Sequence, residues 1–106
     1  MFRFLLYLHM VVFSYAKIRN FFQQHADAKD ALNNWYRVLL QSDWRNFHEM
    51  KITFNSVDAV GNDRFVFNIR GNHYRVVALI FFDVRTVYIR FIGTHTEYNK
   101  IDCRTI

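Results

Sequence analysis

Proline is absent from the 106 residues and glycine occurs only three times, so no proline-rich or glycine-rich segment divides the chain, which reads as one domain. The single cysteine, Cys103, can build neither a disulfide framework nor a cysteine-based zinc site, and a reduced, cytoplasmic setting is expected. No His-x-His, His-Glu-x-x-His or Cys pair is present, and neither is a Gly-rich phosphate loop or a serine or cysteine nucleophile motif. Hydride transfer, nucleotide hydrolysis and Ser/Cys hydrolase chemistry therefore find no support, and no cofactor is expected. A metal site would have to be assembled from His73, His95, Glu97 or Asp102 without any ligand spacing to recommend it. Charged residues make up only 22% of the chain, against a disordered or coiled-coil class. The opening Met1–Ala16 has no strong basic start and no clean small-x-small site, and His9 interrupts an apolar run already too short for a bilayer. Residues 1–9 read as an apolar extension ahead of a domain at 10–106, with no membrane contact expected.

What is present is apolar and basic. Hydrophobic residues reach 52% and aromatics 19%, twelve of them Phe, in a chain well above the ~40 residues below which staples become nearly obligatory. The formal charge is +5, spread as seven Lys+Arg against four Asp+Glu in residues 1–52 and seven against five in residues 53–106. A small domain with that balance favours polyanions, RNA first among them.

The periodicity predicts a strand at about Met10–Phe13, then a helix capped by Ser14 with Ile18, Phe21 and Phe22 on one face. A longer helix capped by Asp27 carries the stripe Ala28, Ala31, Leu32, Trp35, Leu39 and ends near Gln41. A short third helix from Ser42 or Asp43 buries Trp44 and Phe47. For these aromatics core packing is sufficient explanation. A polar connection over residues 55–63 leads to three strands, Arg64–Ile69, His73–Phe82 and Thr86–Gly93. The class is α+β, with an N-terminal strand and two to three helices packed on an antiparallel sheet.

Gly71-Asn72 can supply the two positive φ angles of a tight hairpin. Arg70 then faces His73, Ile69 faces Tyr74 and Asn68 faces Arg75. A two-residue loop at Val84-Arg85 makes Phe82 face Val87, Leu79 face Arg90 and Arg75 face Thr94, giving a row Asn68, Arg75, Thr94 with Arg90 on the same face but at a distance. A three-residue loop at Asp83–Arg85 would put Arg75 and Arg90 on opposite faces.

Just beyond that row come His95, Glu97, Tyr98 and Lys100. A histidine and a tyrosine beside cations are the parts needed to cleave RNA without metal: a base for the 2′-hydroxyl, an acid for the leaving 5′-oxygen, and charge stabilisation at phosphorus. Taken singly, His95 is better explained as a surface or capping residue and Tyr98 as an amphipathic core residue. Together at one strand end, with Arg75 they become candidate catalytic residues, and Asn68, Arg70, Asn72, Arg90 and Lys100 candidate RNA contacts.

The segments Phe67-Asn-x-x-Gly-Asn-x-Tyr-Arg75 and Gly93-Thr-His-x-Glu-Tyr-x-Lys-Ile-Asp102 closely resemble the HigB-type toxins of bacterial toxin-antitoxin pairs, within the wider RelE-like group. His25-Ala-Asp-Ala28 and Asn34-Trp-Tyr36 fit as well, and the resemblance covers about Met10 to Asp102. It implies a ribosome-dependent endoribonuclease acting on translated mRNA, silenced by a cognate helix-turn-helix antitoxin of the HigA type. It also implies that Arg75 matches the central-strand arginine of the group, that His95 stands where an arginine is the general acid in related members, and that Tyr98 lies near the tyrosine base. Val66 and Asn68 stand where other branches place lysines, which leaves the base open between His95 and Tyr98. A noncatalytic RNA-binding or antitoxin-binding module is the rival reading, under which His95 and Tyr98 would be dispensable.

Overall fold

The computed structural model describes residues 9–106, so all but His9 of the apolar extension lies outside the described residues. Strand β1 (Val11–Phe13) leads into helix α1 (Tyr15–Gln24), a 3-10 turn (Ala26–Ala28), α2 (Lys29–Leu40) and α3 (Phe47–Thr53). Strands β2 (Val57–Gly61), β3 (Arg64–Ile69), β4 (Tyr74–Phe81) and β5 (Thr86–Thr94) follow, and a single turn of helix, α4 (His95–Tyr98), closes the order. None of the described helices is long and apolar enough to cross a membrane.

The α+β class holds. The sheet order is β1-β5-β4-β3-β2, with β2 to β5 antiparallel and β1 parallel to β5, so the sheet is mixed rather than wholly antiparallel. The helical segment between β1 and β5 provides the crossover that a parallel pair requires. Strand β2 occupies ground read as a polar connection. Its Val57 is buried opposite Phe67, while Asp58 and Ala59 are exposed as an edge strand tolerates. The signal was there, because Asn62 and Asp63 both take positive φ (53° and 60°), the requirement of a tight hairpin turn.

The first helix starts after Ser14 as expected, but none of the three expected residues caps through its side chain, and Asp27 and Asp43 are engaged elsewhere. Ser14 sits at φ 78° and makes no side-chain cap; its carbonyl accepts from Lys17 N–H at 3.0 Å. Asp27 does not cap α2, since its carboxylate accepts from the Tyr74 hydroxyl and pairs with Arg70 at 3.3 Å. Asp43 does not start α3, because it pairs with Arg85; Asn46 Oδ1 caps that helix by accepting from Glu49 N–H at 3.0 Å. Trp44 is buried as expected but in the loop before α3, and Phe47 is only half-buried.

The β3–β4 register is the expected one, with Asn68 opposite Arg75 and Ile69 opposite Tyr74. At the turn the positive φ angles belong to Arg70 (53°) and Gly71 (62°), not to Asn72. The β4–β5 connection is four residues, a 3-10 turn at Phe82–Val84 plus Arg85 at φ 51°, so Phe81 rather than Phe82 opens the ladder, opposite Thr86. Leu79 therefore faces Tyr88, not Arg90. Arg90 itself is the extra residue of a β-bulge between Ile89 (opposite Ala78) and Phe91 (opposite Val77), after which Arg75 faces Gly93 and Tyr74 faces Thr94. The expected Arg75–Thr94 pairing is corrected accordingly: Thr94 belongs to the other face of the sheet.

Alternation then sorts the strands. Phe67, Val76, Ala78, Ile80, Val87 and Ile89 face the helices and join Ile18, Leu32, Trp35 and Leu39 in the main core. Val66 and Val77 are buried as well but lie apart from that core, on the face that carries Asn68 and Arg75.

Candidate active site

The second face is covered by the end of the chain. Arg64 donates through Nε and Nη2 to the Ile106 carbonyl oxygen at 3.2 and 2.8 Å, Arg90 Nε reaches the same oxygen at 3.4 Å, and Asn62 donates to the Arg104 carbonyl at 3.1 Å. Residues 99–106 thus run back from α4 toward the β2–β3 hairpin. Under this cover lies Arg75, only 8% exposed. Its Nη1 donates to the Asn72 and Tyr74 carbonyls at 3.1 and 3.2 Å, its Nη2 to Asn72 Oδ1 at 3.4 Å, and the guanidinium carbon sits 5.9 Å from the centre of the Tyr98 ring. Among the described residues no carboxylate lies within ion-pair distance of it.

Thr94 and Glu97 set α4. The Thr94 hydroxyl oxygen accepts from Glu97 N–H at 3.1 Å and a Glu97 carboxylate oxygen accepts from Thr94 N–H at 2.8 Å, a reciprocal capping box. The Thr94 backbone N–H holds the Glu97 carboxyl below the ordinary 4.5. His95 is therefore presented, exposed, in the first turn, and Tyr98 one turn later over Arg75, as the three-residue spacing predicts. The backbone N–H of His95 donates to the His73 carbonyl at 3.3 Å, extending the β4–β5 ladder by one pair. Burial, and then the hydrogen bond from the Tyr98 hydroxyl to Cys103 Sγ at 3.5 Å, push that phenol up to about 12 despite the nearby Arg75.

Of the expected RNA contacts, Asn68 lies beside Arg75 on β3 and Asn72 touches its guanidinium. Arg70 is drawn away to Asp27, while Lys100 is exposed just beyond α4. Arg90, at the bulge, lines a separate cleft of about 430 Å³ with Lys17, Phe21, Gln24, His25 and Glu97, not the Arg75 row. The third place in that row belongs to Gly93, where an added Cβ would collide with the Phe91 ring. Among the described residues no three His, Cys, Asp or Glu side chains come together as a metal site.

Sequence reasoning missed two features. Cys103 under Tyr98 had no local signal, since the contact depends on how the last residues turn back. The Asp27–Tyr74–Arg70 link joins His25–Ala28 to the family-like Phe67–Arg75 segment, 47 residues apart between Asp27 and Tyr74. Its hydrogen bond lowers the Asp27 carboxyl and raises the Tyr74 phenol.

A family model described as HigB_toxin, RelE-like toxic component of a toxin-antitoxin system, matches residues 28–101. The "mRNA interferase toxin HigB" of Escherichia coli K12 is 34% identical over 80 residues, 74% of each chain. The "mRNA interferase HigB" of Escherichia coli O6:H1 is 33% identical over 73 residues, 67% of this chain and 71% of its own. That of Shigella flexneri is 34% identical over 80 residues, again 74% of each.

Proposed function

The chain belongs to the HigB toxin family, the RelE-like toxic components of toxin-antitoxin systems, and from that premise we propose that it is a ribosome-dependent endoribonuclease that cuts translated mRNA and is silenced by a helix-turn-helix antitoxin of the HigA type. An antitoxin partner follows from the family itself. The observation that carries the rest is Arg75: a residue only 8% exposed, its guanidinium held by three neutral acceptors and an aromatic ring, with no carboxylate at ion-pair distance among the described residues. Such a charge is costly unless an anion completes it, and the planar fork of donors suits a phosphate.

In this reading Arg75 stabilises the charge that builds on the phosphoryl oxygens while the 2′-oxygen attacks, and His95 protonates the departing 5′-oxygen. Tyr98 works as a neutral hydroxyl and ring over the guanidinium, because a phenol pushed up to about 12 is a poor base at neutral pH. Asn68 and Asn72 flank the phosphate, and Lys100, Arg70 and Arg90 contribute the longer-range attraction to RNA. No metal takes part in these steps.

The test is expression under tight control with mapping of RNA 5′ ends. New ends confined to translated reading frames, lost with His95→Gln, are the expected result. Growth arrest without new ends would favour the noncatalytic module.

A further inference from the structure

With Tyr98 turned toward Cys103, the proposed cleavage has an acid but no base. We propose that His73 is that base and works with His95 as a two-histidine pair, a role that rests on the endoribonuclease reading above.

Three observations support it. His73 is exposed at the hairpin end of β4, and its carbonyl accepts from His95 N–H at 3.3 Å, so the two residues stand side by side across neighbouring strands. Side chains of directly opposed residues start about 5 Å apart, which lets two imidazoles flank one phosphoryl group. Second, His73 Nδ1 lies 3.0 Å from the Arg70 carbonyl oxygen. A carbonyl only accepts, so Nδ1 carries the proton, and in the neutral ring the free lone pair sits on Nε2, the outward nitrogen a base needs. Third, the Arg75 guanidinium reaches back to both the carbonyl and the side-chain oxygen of Asn72, the residue next to His73. Phosphate-binding charge and base therefore occupy one turn.

The step balances without water or metal. His73 Nε2 takes the proton of the 2′-hydroxyl, the 2′-oxygen bonds to phosphorus, and the bond from phosphorus to the 5′-oxygen breaks. The leaving oxygen takes its proton from the His95 imidazolium, giving a 2′,3′-cyclic phosphate and a 5′-hydroxyl. Afterwards His73 holds a proton and His95 lacks one, so an exchange with solvent resets the pair.

The experiment measures single-turnover cleavage on translating ribosomes loaded with mRNA whose scissile linkage carries either the ordinary 5′-oxygen or a bridging sulfur, a leaving group that needs no acid. His73→Ala and the size-preserving His73→Gln are each expected to lose about 10²–10⁴ in rate, with circular dichroism and ribosome association unchanged. Sulfur should restore His95→Gln and leave both His73 variants slow. Cleavage by the His73 variants within threefold of the parent chain, restoration of them by sulfur, or a matching loss of ribosome association would each overturn the assignment. Failure of the parent chain to cut either substrate removes the endoribonuclease reading itself, an outcome separate from the others.

Discussion

The two faces of one sheet are built from the same strands and do different work. Toward the helices every inward position of β3 to β5 from Phe65 to Ile89 is apolar and buried, closed by Leu32, Trp35 and Leu39. On the reverse face the buried side chains are Val66, Val77 and a charge, Arg75, and the cover is a single helical turn followed by eight residues. The first face is a folding core. The second has too little apolar area to hold the domain together, and it keeps a desolvated cation where a packed methyl would be more stable. Strain of that kind is retained where it serves binding or chemistry, and a period of two lets one set of strands do both.

The sharpest way to break this contrast is to damage the first face. Phe67→Ala should cost about 3–5 kcal/mol, much of a typical margin of about 5–15 kcal/mol, and abolish activity only through unfolding. A urea midpoint barely changed would mean that the helix-side core is not what holds the chain.

On the second face the expectation reverses. Arg75→Ala should lower RNA cleavage by about 10²–10³ and leave stability nearly unchanged or raised, since a buried, unpaired charge is removed. Ribosome-bound cleavage assays beside urea titration decide it. Loss of fold would make Arg75 a structural residue, held only by its bonds to Asn72 and Tyr74.

The contrast also explains what could be read from the sequence. Strand Arg64–Ile69 and its pairing with Tyr74–Phe81 were legible because alternation and a glycine turn are local signals. The bulge at Arg90 was not, since an extra residue leaves no mark in composition, and it moved the partner of Arg75 from Thr94 to Gly93. The burial of Arg75 was illegible for another reason: its lid comes from residues 98–106, more than twenty positions on, and nothing in a polar tail announces where it folds back. That His95 and Tyr98 share one helical turn was legible because a three-residue spacing is a short-range geometry. The contact of Tyr98 with Cys103 was not, because it depends on how the residues after α4 turn back.

Tyr98 gives a smaller effect. A phenol already pushed up to about 12 stays protonated in the native chain well above 10.0, its ordinary value, and this preference is lost only as pH rises toward 12. Tyr98→Phe should therefore lower cleavage by less than about tenfold, below the range expected of a true proton-transfer group. It should also delete from an absorbance titration a phenol that ionises at about 12. A hundredfold loss of cleavage would return the base to Tyr98.

The smallest effect lies at the hinge between the sheet and its cover. Glu97 closes the capping box of α4, and the Thr94 backbone N–H holds its carboxyl below 4.5. The group's native value is depressed, so its stabilisation is complete above the ordinary value and drains away as pH falls through the native one. Acid should thus loosen α4, which carries His95 and Tyr98, before it affects the helix-side core. The Thr94 amide proton, followed by NMR, should shift with an inflection below 4.5, and Glu97→Gln should abolish that inflection while the Thr94 hydroxyl keeps its own bond to the helix. An inflection at or above the ordinary value would mean that the box is not closed in solution. The cover over Arg75 would then be held by Arg64 and Arg90 at Ile106 and by Asn62 at Arg104.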